Sequence, residues 1–573
     1  MLWDIKETRK EIVDHLASEL CISKLIASLL IQRGICDTES AQAYLNPTLK
    51  DLTDPYDVSN LRDGAEKLSH AIDNKASIFI FGDYDVDGVT SIVQLLSLLR
   101  FYGLNPSYCV PQRLKEGYGL TRQAIDRAFS DAMPELMIVV DCGTNSKASI
   151  DYLKSLGVEI IVIDHHQLTE SYPDNCILIN PHVNDSSNEL SAWYNLSASG
   201  LVFKFIHGLI KYRREINDRQ AYDFRLSQII DLAGMGVIAD LVPLHGENRL
   251  IGWYALKHLS SNKRLGIRSL MEVSQSVEAK NITSSDISFR IGPRINASGR
   301  LSDASLPIEL LLSEDSEFAL KAAQSLESIN LERKAIERKI FQLAEERIQN
   351  EAPNTLGYVL YDETWHPGVV GIVASRISRK FNRPSLVLGR DKGLIKGSGR
   401  SVQGIDLIQI LSQCDDSLEH WGGHPMAVGL SFEEENLNAF IRSFNNAIQK
   451  LYPEGIVEKK LEIDAWLDLE SIDQDLFSDL FRLQPFGQKN SEPIFGIQSV
   501  FINAPINTFS KVHKKFFVSK SGQGENKMQV ISWNSGELPK VNQTVDLAIR
   551  LESYTWNNQN NIRLILVDWK ESI

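Results

Sequence analysis

The sequence predicts an α/β protein in three parts: a lobe built on a parallel sheet, a smaller α/β lobe joined to it by a long helix, and a β-rich C-terminal domain. Three observations carry this. Short β-branched apolar runs, SIFIF (Ser77–Phe81), LMIVV (Leu136–Val140) and VEIIVI (Val158–Ile163), are separated by amphipathic stretches of helix length, and strands alternating with helices imply a mostly parallel sheet covered on both faces. No Gly or Pro occurs between Pro307 and Pro353, so neither residue interrupts a helix there. After Val457 the chain is a series of β-runs divided by polar turns.

Taken in order, residues 1–60 read as short helices around a turn at Asn46-Pro47, a lead-in rather than a catalytic unit. Residues 61–306 form the first lobe, with the three apolar runs among its strands. Residues 307–353 are the connecting helix, because LERKAIERKIFQLAEERIQN sets apolar residues at helical spacing among dense charges. Residues 354–455 form the second lobe, in which YVLYD and SLVLG read as strands and the glycine-rich KGSGRS and WGGHPMAVGLS as loops. Residues 456–573 carry the runs SVFINAP, KKFFVSK, KMQVISW, TVDLAIRL and NIRLILVDW, which suit a small barrel such as an OB-fold.

Composition narrows the class. At 573 residues, 43% hydrophobic and 23% charged, the chain has an ordinary globular composition and excludes collagen-like, disulfide-dense and wholly disordered proteins. The six cysteines are scattered singly, which argues against a disulfide framework or a thiolate metal site. The charged stretch Met1–Lys10 and the lack of an apolar run of about 20 residues lead us to expect a cytoplasmic protein without a membrane partner. The net charge of −14 argues against non-specific coating of nucleic acid. It conceals a basic stretch from Ala374 to Arg400, however, where Asp391 is the only acid. No Gly is followed by Lys, so a GK[ST] phosphate loop is absent and a motor is disfavoured, and no GxSxG elbow suggests a serine nucleophile.

Each apolar run of the first lobe leads straight into acids. IFIFGDYDVDG delivers Asp83, Asp85 and Asp87, MIVVDCGT delivers Asp141, and EIIVIDHH delivers Asp164 with His165 and His166. Ligands of an open parallel sheet sit beyond the carboxyl ends of its strands, so these groups can converge on one crevice. A single Asp there is as often a helix cap as a ligand, but three strands ending alike are hard to attribute to capping. Gathered carboxylates repel one another unless cations neutralise them. Carboxylate oxygens with a minority of imidazole suit Mn²⁺ or Mg²⁺, whereas zinc brings thiolates or more His. Asp83 and Asp85, two apart on a loop, can share a metal pair, and Gly88 permits the turn into a helix beginning near Val89. Either imidazole can ligate while its neighbour binds substrate or acts as an acid, and a hydrogen-bonded bystander is the bland alternative. DLAGMGVIADLVPL offers a further carboxylate, with Asp240 preferred to Asp231, which can simply cap or orient a helix.

DYDVDG, DCGT, IDHH and GVIADLVP, in this order, resemble the DHH superfamily of phosphoesterases. GPRINASGRL, WHPGVVGIVASRI, KGSGRS and GGHPMAVGLS narrow the resemblance to its bacterial single-strand-specific exonucleases, over nearly the whole chain. The resemblance implies a DHH lobe and a DHH-associated lobe with two Mn²⁺ or Mg²⁺ ions between them, and an OB-fold that helps hold single-stranded DNA. It implies 5′ to 3′ degradation in DNA repair and recombination by a monomer, with a single-strand-binding protein and a helicase as further partners. By position it implies metal ligation by Asp83, Asp85, Asp141, His165 and Asp240. It places His166 beside the scissile phosphate, Asp164 behind the His pair as its orienting partner, and Asp87 in the same catalytic group. It sets Arg113 near a 5′ phosphate, and makes Ser398, Arg400 and His424 phosphate-facing residues of the second lobe, where Gly422 and Gly423 let backbone approach.

Apart from the resemblance, Arg294 and Arg300 lie in an acid-free stretch and suit phosphate clamping by planar guanidinium groups, with an interdomain ion pair as the alternative. In the tail, Lys511, Lys514 and Lys515 with Phe516 and Phe517 form either a stacking platform for single strands or, for the Phe residues, barrel core. Two other functions stay open. One is a DHH enzyme acting on short oligoribonucleotides, cyclic dinucleotides or pyrophosphate, against which the β-rich tail argues. The other is a non-catalytic nucleic-acid-binding relative, against which the intact carboxylate set argues.

Overall fold

The computed structural model describes residues 2–112, 116–117, 119–129, 133–169, 171–261, 264–274, 282–302, 304–351, 355–457, 460–509, 513–520, 527–533, 537–556 and 559–572. Strand β1 (Leu2–Ile5) is followed by helices α1 (Lys10–Leu20), α2 (Lys24–Gln32) and α3 (Thr38–Leu45). Ser23 and Asp37 accept hydrogen bonds from first-turn amides and so start α2 and α3. The apolar faces of these helices pack far along the chain: Leu16, Ile26 and Leu30 share one core with Leu469, Phe495, Val518 and Leu547. The expected lead-in is therefore divided, with α1 to α3 in the C-terminal body and Leu49, Leu52 and Val58 on the first-lobe core.

The first lobe opens with α4 (Leu61–Asp73) and a five-stranded parallel sheet. Its strands are β2 (Ile78–Gly82), β3 (Ser107–Cys109), β4 (Leu136–Val140), β5 (Glu159–Ile163) and β6 (Ile177–Ile179), ordered β3-β2-β4-β5-β6. β2 and β4 are buried along their whole length, as apolar strands covered on both faces must be. Ile80, Ile138 and Ile161 face the core shared with α4, α5 (Val86–Phe101) and α6 (Ala198–Glu215), whereas Phe79, Met137 and Val162 pack against Ile125, Ile150 and Leu153 on the other side. Strand register aligns the acids. Gly82 pairs with Val140 and Val140 with Ile163, so Asp83, Asp141 and Asp164 leave the sheet level with one another. They leave it where the chain order reverses, with β3 on one side of β2 and β4 on the other, which opens a crevice. Helices α7 (Ile230–Ala239), α8 (Gly246–Ser260) and α9 (Gly292–Leu301) complete the lobe.

Residues 307–353 are not one helix. α10 (Leu306–Leu312) stops at Ser313, and α11 (Ser316–Glu351) starts afresh on Asp315, which accepts from the amides of Glu317 and Phe318. An Asp cap divides helices as well as Gly or Pro does. α11 has 36 residues, about 54 Å at the helical rise. Its first turns (Ala319, Ala323, Leu326) lie in the first-lobe core and its last (Ile340, Ala344, Ile348) in the second-lobe core, so it is a strut embedded in both.

In the second lobe, strands β7 (Tyr358–Tyr361), β8 (Ser385–Asp391), β9 (Leu394–Arg400), β10 (His420–His424) and β11 (Ala427–Phe432) form a sheet in the order β10-β11-β9-β8-β7. α12 (Pro367–Phe381) packs on Tyr358, Leu360 and Val387, and α13 (Leu437–Leu451) on Leu386, Leu388 and Val428 of the opposite face. The expected loops KGSGRS and WGGHP are thus largely β9 and β10. Glycine is a weak strand former, which hid them, but here it has a steric role: a Cβ at Gly397 or Gly399 would come within 2.4 or 2.3 Å of Leu388 or Leu386.

β12 (Lys460–Ile463) pairs in parallel with β1. Strands β13 (Ala465–Trp466), β14 (Phe495–Ile502), β15 (Asn507–Phe509), β16 (His513–Ser519), β17 (Met528–Ser532), β18 (Thr544–Trp556) and β19 (Gln559–Glu571) form a seven-stranded sheet. β14 also meets β16 at Phe501–Ser519 and Ile502–Val518, so the sheet curls back on itself, joined there among the described residues by these two pairs. Phe516 is wholly buried in the core and cannot stack on a base, Lys514 donates to Thr508, and Lys511 lies outside the described residues. Among the described residues no helix is long and apolar enough to cross a membrane.

Candidate active site

At the end of β2 the buried Asp83 is followed by Asp85, whose Oδ1 accepts from the amides of Asp87 (2.9 Å) and Gly88 (3.2 Å) and so starts α5 at Val86, earlier than expected. Capping and membership of the carboxylate cluster are therefore combined in one side chain. Gly88 serves close approach rather than a turn, since a Cβ there would lie 2.3 Å from the Asp83 carbonyl oxygen. Asp141 adopts φ 59, a left-handed turn at the end of β4 that Asp tolerates better than most residues. Asp164 accepts from the amides of His165 (2.8 Å), His166 (3.2 Å) and Thr144 (2.9 Å) and lies 2.7 Å from His166 Nδ1. Asp240 caps the C-terminus of α7, which approaches α6 closely because Gly236 leaves no Cβ to meet Ser199.

These elements bring the expected ligands together. Oxygens of Asp83, Asp85 and Asp141 lie within 4.8 Å of one another, as do ligand atoms of Asp87, His165 and Asp240, and of Asp141, His165 and His166. His165 Nε2 is 3.4 Å from Asp141 Oδ1 and 3.5 Å from Asp240 Oδ2. It has no hydrogen-bond partner among the described residues. Burial, together with the charges of Asp85, Asp87, Asp83 and Asp240, pushes the Asp141 carboxyl well up, and burial with Asp87 and Asp85 does the same to Asp240. Burial and the neighbouring His166 lower His165 to about 3, leaving an unprotonated imidazole. A pocket of hard oxygens and one neutral imidazole, destabilised by its own charge, fits a pair of divalent cations such as Mn²⁺ or Mg²⁺.

His166 differs from its neighbour. Burial opposes its charge, but Asp164 outweighs burial and pushes it up to about 9. Asp164, although buried, is held well below the usual carboxylate range by His166, His165 and the Thr144 amide. The two form an ion pair at neutral pH.

Asp87, expected in the catalytic group, borders the cluster beside His165 and Asp240 and also has a structural task. Its carboxylate accepts from Ser197 Oγ (2.8 Å) and the amides of Ala198 (2.7 Å) and Ser199 (3.0 Å), anchoring the N-terminus of α6 behind the cluster. Asp231 pairs with Arg264 at 2.8 Å and leaves the crevice to Asp240. Arg294 is no phosphate clamp: it is buried against Glu327 of α11, Nε to Oε2 2.6 Å. Its stretch is acid-free in sequence, and the acid comes from a helix thirty residues on. Arg300 Nη1 donates to the Gly368 carbonyl (2.9 Å) and so ties the first lobe to α12. Arg113 lies outside the described residues.

Ser398, Arg400 and His424 share the face of the second-lobe sheet on which α12 packs. Register sets three rows across β9, β11 and β10: Lys396–Ser431–His420, Ser398–Gly429–Gly422 and Arg400–Ala427–His424. A Cβ at Gly429 or Gly422 would meet nothing within 4 Å, so the middle row is a smooth floor between basic edges. A cavity of about 400 Å³ opens over it, bordered by Pro367 and Gly368 at the N-terminus of α12. Gly371 keeps that helix close to Ser398 and Arg400. Direct contacts connect this floor to the carboxylates: Gly368 meets Arg300, and the adjoining Gly299 lies against Tyr84, between Asp83 and Asp85.

Several residues at the site escaped sequence reasoning. Asn296 accepts from the Val86 amide, and Asn180 donates to Thr144 Oγ1 and the His166 carbonyl, fixing the loop of the His pair. Asn180-Pro181 signals a helix start in the sequence, but nothing there signals its reach to His166. Lys396 belongs to the basic stretch already evident in the sequence, but its alignment with His420 becomes visible only through strand register.

Comparison with known proteins agrees with this geometry. Residues 77–237 match the DHH family N-terminal domain, residues 354–450 the DHHA1 domain, and residues 463–568 the RecJ OB domain. The single-stranded-DNA-specific exonuclease RecJ of Bacillus subtilis is 32% identical over 99% of this chain and 70% of its own length. That of Escherichia coli is 31% identical over 86% of this chain and 87% of its own. The crystal structure of RecJ from Thermus thermophilus in complex with Mn²⁺ superimposes with a TM-score of 0.81 at 26% identity, covering 100% of this chain and 80% of that one. A second structure, exonuclease RecJ bound to manganese, gives a TM-score of 0.58 at 29% identity over 70% of this chain and 96% of that one. With a carboxylate crevice, a second-lobe platform and relatives of this identity and coverage, the chain belongs to the RecJ family of single-stranded-DNA-specific exonucleases.

Proposed function

We propose that this chain hydrolyses single-stranded DNA from its 5′ end, using a pair of Mn²⁺ or Mg²⁺ ions held by Asp83, Asp85, Asp141, His165 and Asp240. The observation that carries the reading is the single cluster these five side chains form at the level ends of β2, β4 and β5 and the C-terminus of α7. The ions, when bound, supply an activated water and positive charge for the phosphoryl oxygens. His166, kept protonated by Asp164 at Nδ1, directs its other N–H as a hydrogen bond to a phosphate oxygen and keeps its proton, so charge developing there meets a cation already in place. Arg400, Ser398 and His424 hold the terminal phosphate at the end of the glycine floor, where paired guanidinium hydrogen bonds and close backbone suit a phosphate. A strand that must run from the second-lobe floor to the carboxylates of the first lobe favours a single strand over a blunt duplex. The long C-terminal sheet favours a polymer over a dinucleotide. The enzyme works as a monomer in the cytoplasm, on single strands exposed by a helicase or handed over by a single-strand-binding protein. Digestion of strands labelled at either end tests the reading. The 5′ label is expected to appear at once as mononucleotide and a blunt duplex to resist; early release of a 3′ label, or equal rates on the duplex, would contradict it.

A further inference from the structure

The ligands of the crevice are supported unequally. Asp83 and Asp141 are carried by strand ends, whereas Asp240 stands at the end of a helix, and the chain leaves it through Leu241 at φ 63, an unfavourable backbone for a non-glycine residue. The first lobe holds this segment through Leu244 in its core and through Asn248 Nδ2, which donates to the Pro243 carbonyl (3.1 Å), and the C-terminal body adds a second set of contacts. The Leu244 amide donates to the Gln488 carbonyl at 2.8 Å, and the Leu244 side chain lies on Gly487, where a Cβ would come 2.6 Å from Leu244 Cδ1. On α8, which packs along α7, Arg249 is 4% exposed and donates to the carbonyls of Tyr44 (2.7 Å) and Arg482 (2.9 Å), its guanidinium 3.4 Å from the centre of the Tyr44 ring. Tyr44 OH donates in turn to the Leu483 carbonyl. Among the described residues Arg249 Nε has no hydrogen-bond partner, so the desolvation of its charge is offset by the two carbonyls and the ring of the C-terminal body.

We propose that docking of the C-terminal body against residues 244–249 positions Asp240, so that the cation affinity of the crevice depends on a domain that contributes no ligand to it, with Arg249 as the positioning residue. This rests on the two-cation reading of the crevice. Tilting α8 or releasing Leu244 lets the Leu241 turn relax and swings the Asp240 carboxylate away from His165, while the strand-borne carboxylates stay in place. The metal-free full chain is titrated with Mn²⁺ by electron paramagnetic resonance, comparing Arg249→Leu with Gly487→Val, which drives a side chain into Leu244 from the other body. The two changes lie on opposite sides of the contact, so one remains informative if the other fails to fold. Each is expected to weaken Mn²⁺ binding about tenfold, or about 1.4 kcal/mol, and to have no further effect in an Asp240→Ala background. Unchanged Mn²⁺ affinity in both variants, even with a lowered melting temperature, overturns the proposal, as does an equal loss with and without Asp240. Asp85→Ala separates the two readings: if it too leaves Mn²⁺ binding unchanged, the two-cation reading fails and this inference with it.

Discussion

Replacing Arg294 by methionine is expected to destabilise the protein without weakening its hold on DNA. Arg294, 5% exposed on α9, meets Glu327 of α11 at 2.6 Å, and the Glu327 side chain is 20% exposed. Removing one member of a buried pair strands the other charge and costs about 3–5 kcal/mol. Partial exposure of Glu327, with the Lys334 charge nearby, reduces this to about 2–4 kcal/mol. At about 2–4 °C per kcal/mol for a body of this size, the melting temperature falls by roughly 4–16 °C. Adding Glu327→Leu should recover most of the loss, because an apolar pair of similar volume replaces a buried ion pair at little cost. Calorimetry reads the stability, and the salt dependence of single-strand binding reads the DNA contact. A phosphate clamp contributes about one to the salt exponent, and here the exponent should not move. An unmoved melting temperature with an exponent smaller by about one would refute the ion-pair reasoning and return Arg294 to the DNA surface.

Arg400→Ala should slow digestion of 5′-phosphorylated strands roughly 10- to 150-fold more than of 5′-hydroxyl strands, the worth of about 1.5–3 kcal/mol for hydrogen bonds to a charged group; equal losses with a lowered melting temperature would mark a structural role. Asp141→Asn keeps a residue that tolerates the left-handed turn while removing one charge from the cluster. It should abolish hydrolysis at saturating Mn²⁺ yet leave the metal-free chain as stable as before or more so, and near-normal turnover would remove Asp141 from the ligands. In the metal-free chain His166 should titrate near 9 by NMR, up from an ordinary 6.5. A raised imidazole contributes stability that is fully present below about 6.5 and lost as pH rises through about 9. Asp164→Asn should bring the titration back toward 6.5 and erase that pH dependence, whereas a His166 titrating near 6.5 in the unaltered chain would contradict the ion pair.

What was legible in the sequence had a local cause. The β2, β4 and β5 runs are buried on both faces and abut their acids directly, so strand and ligand appear in the same few residues, and register alone was needed to align Asp83, Asp141 and Asp164. What was hidden depends on distance or on glycine. Nothing near Leu16 or Ile26 indicates that they pack on Phe495 and Leu547. Nothing near Arg294 indicates Glu327. KGSGR and HWGGH resemble loops because glycine hides the alternation that marks a strand, although Gly397 and Gly399 make room for Leu388 and Leu386 and Gly422 lies in the open middle row. Phe516 and Phe517 carry no sign of which one faces the core until Phe516 is set opposite Val530. Asp87 lies among ligands in DYDVDG, and only its bonds to the start of α6 show that it anchors a helix.

If the crevice holds two cations and hydrolysis of single-stranded DNA depends on both, metal binding and activity must rise together. The most direct test titrates the metal-free chain with Mn²⁺ while following bound ion and the digestion of a 5′-phosphorylated single strand in the same samples. Two Mn²⁺ per chain are expected, with digestion that rises with the second and loss of both binding and digestion in Asp85→Ala. Digestion that persists in excess chelator, or two ions still bound and active with Asp85 replaced, would contradict a two-cation site.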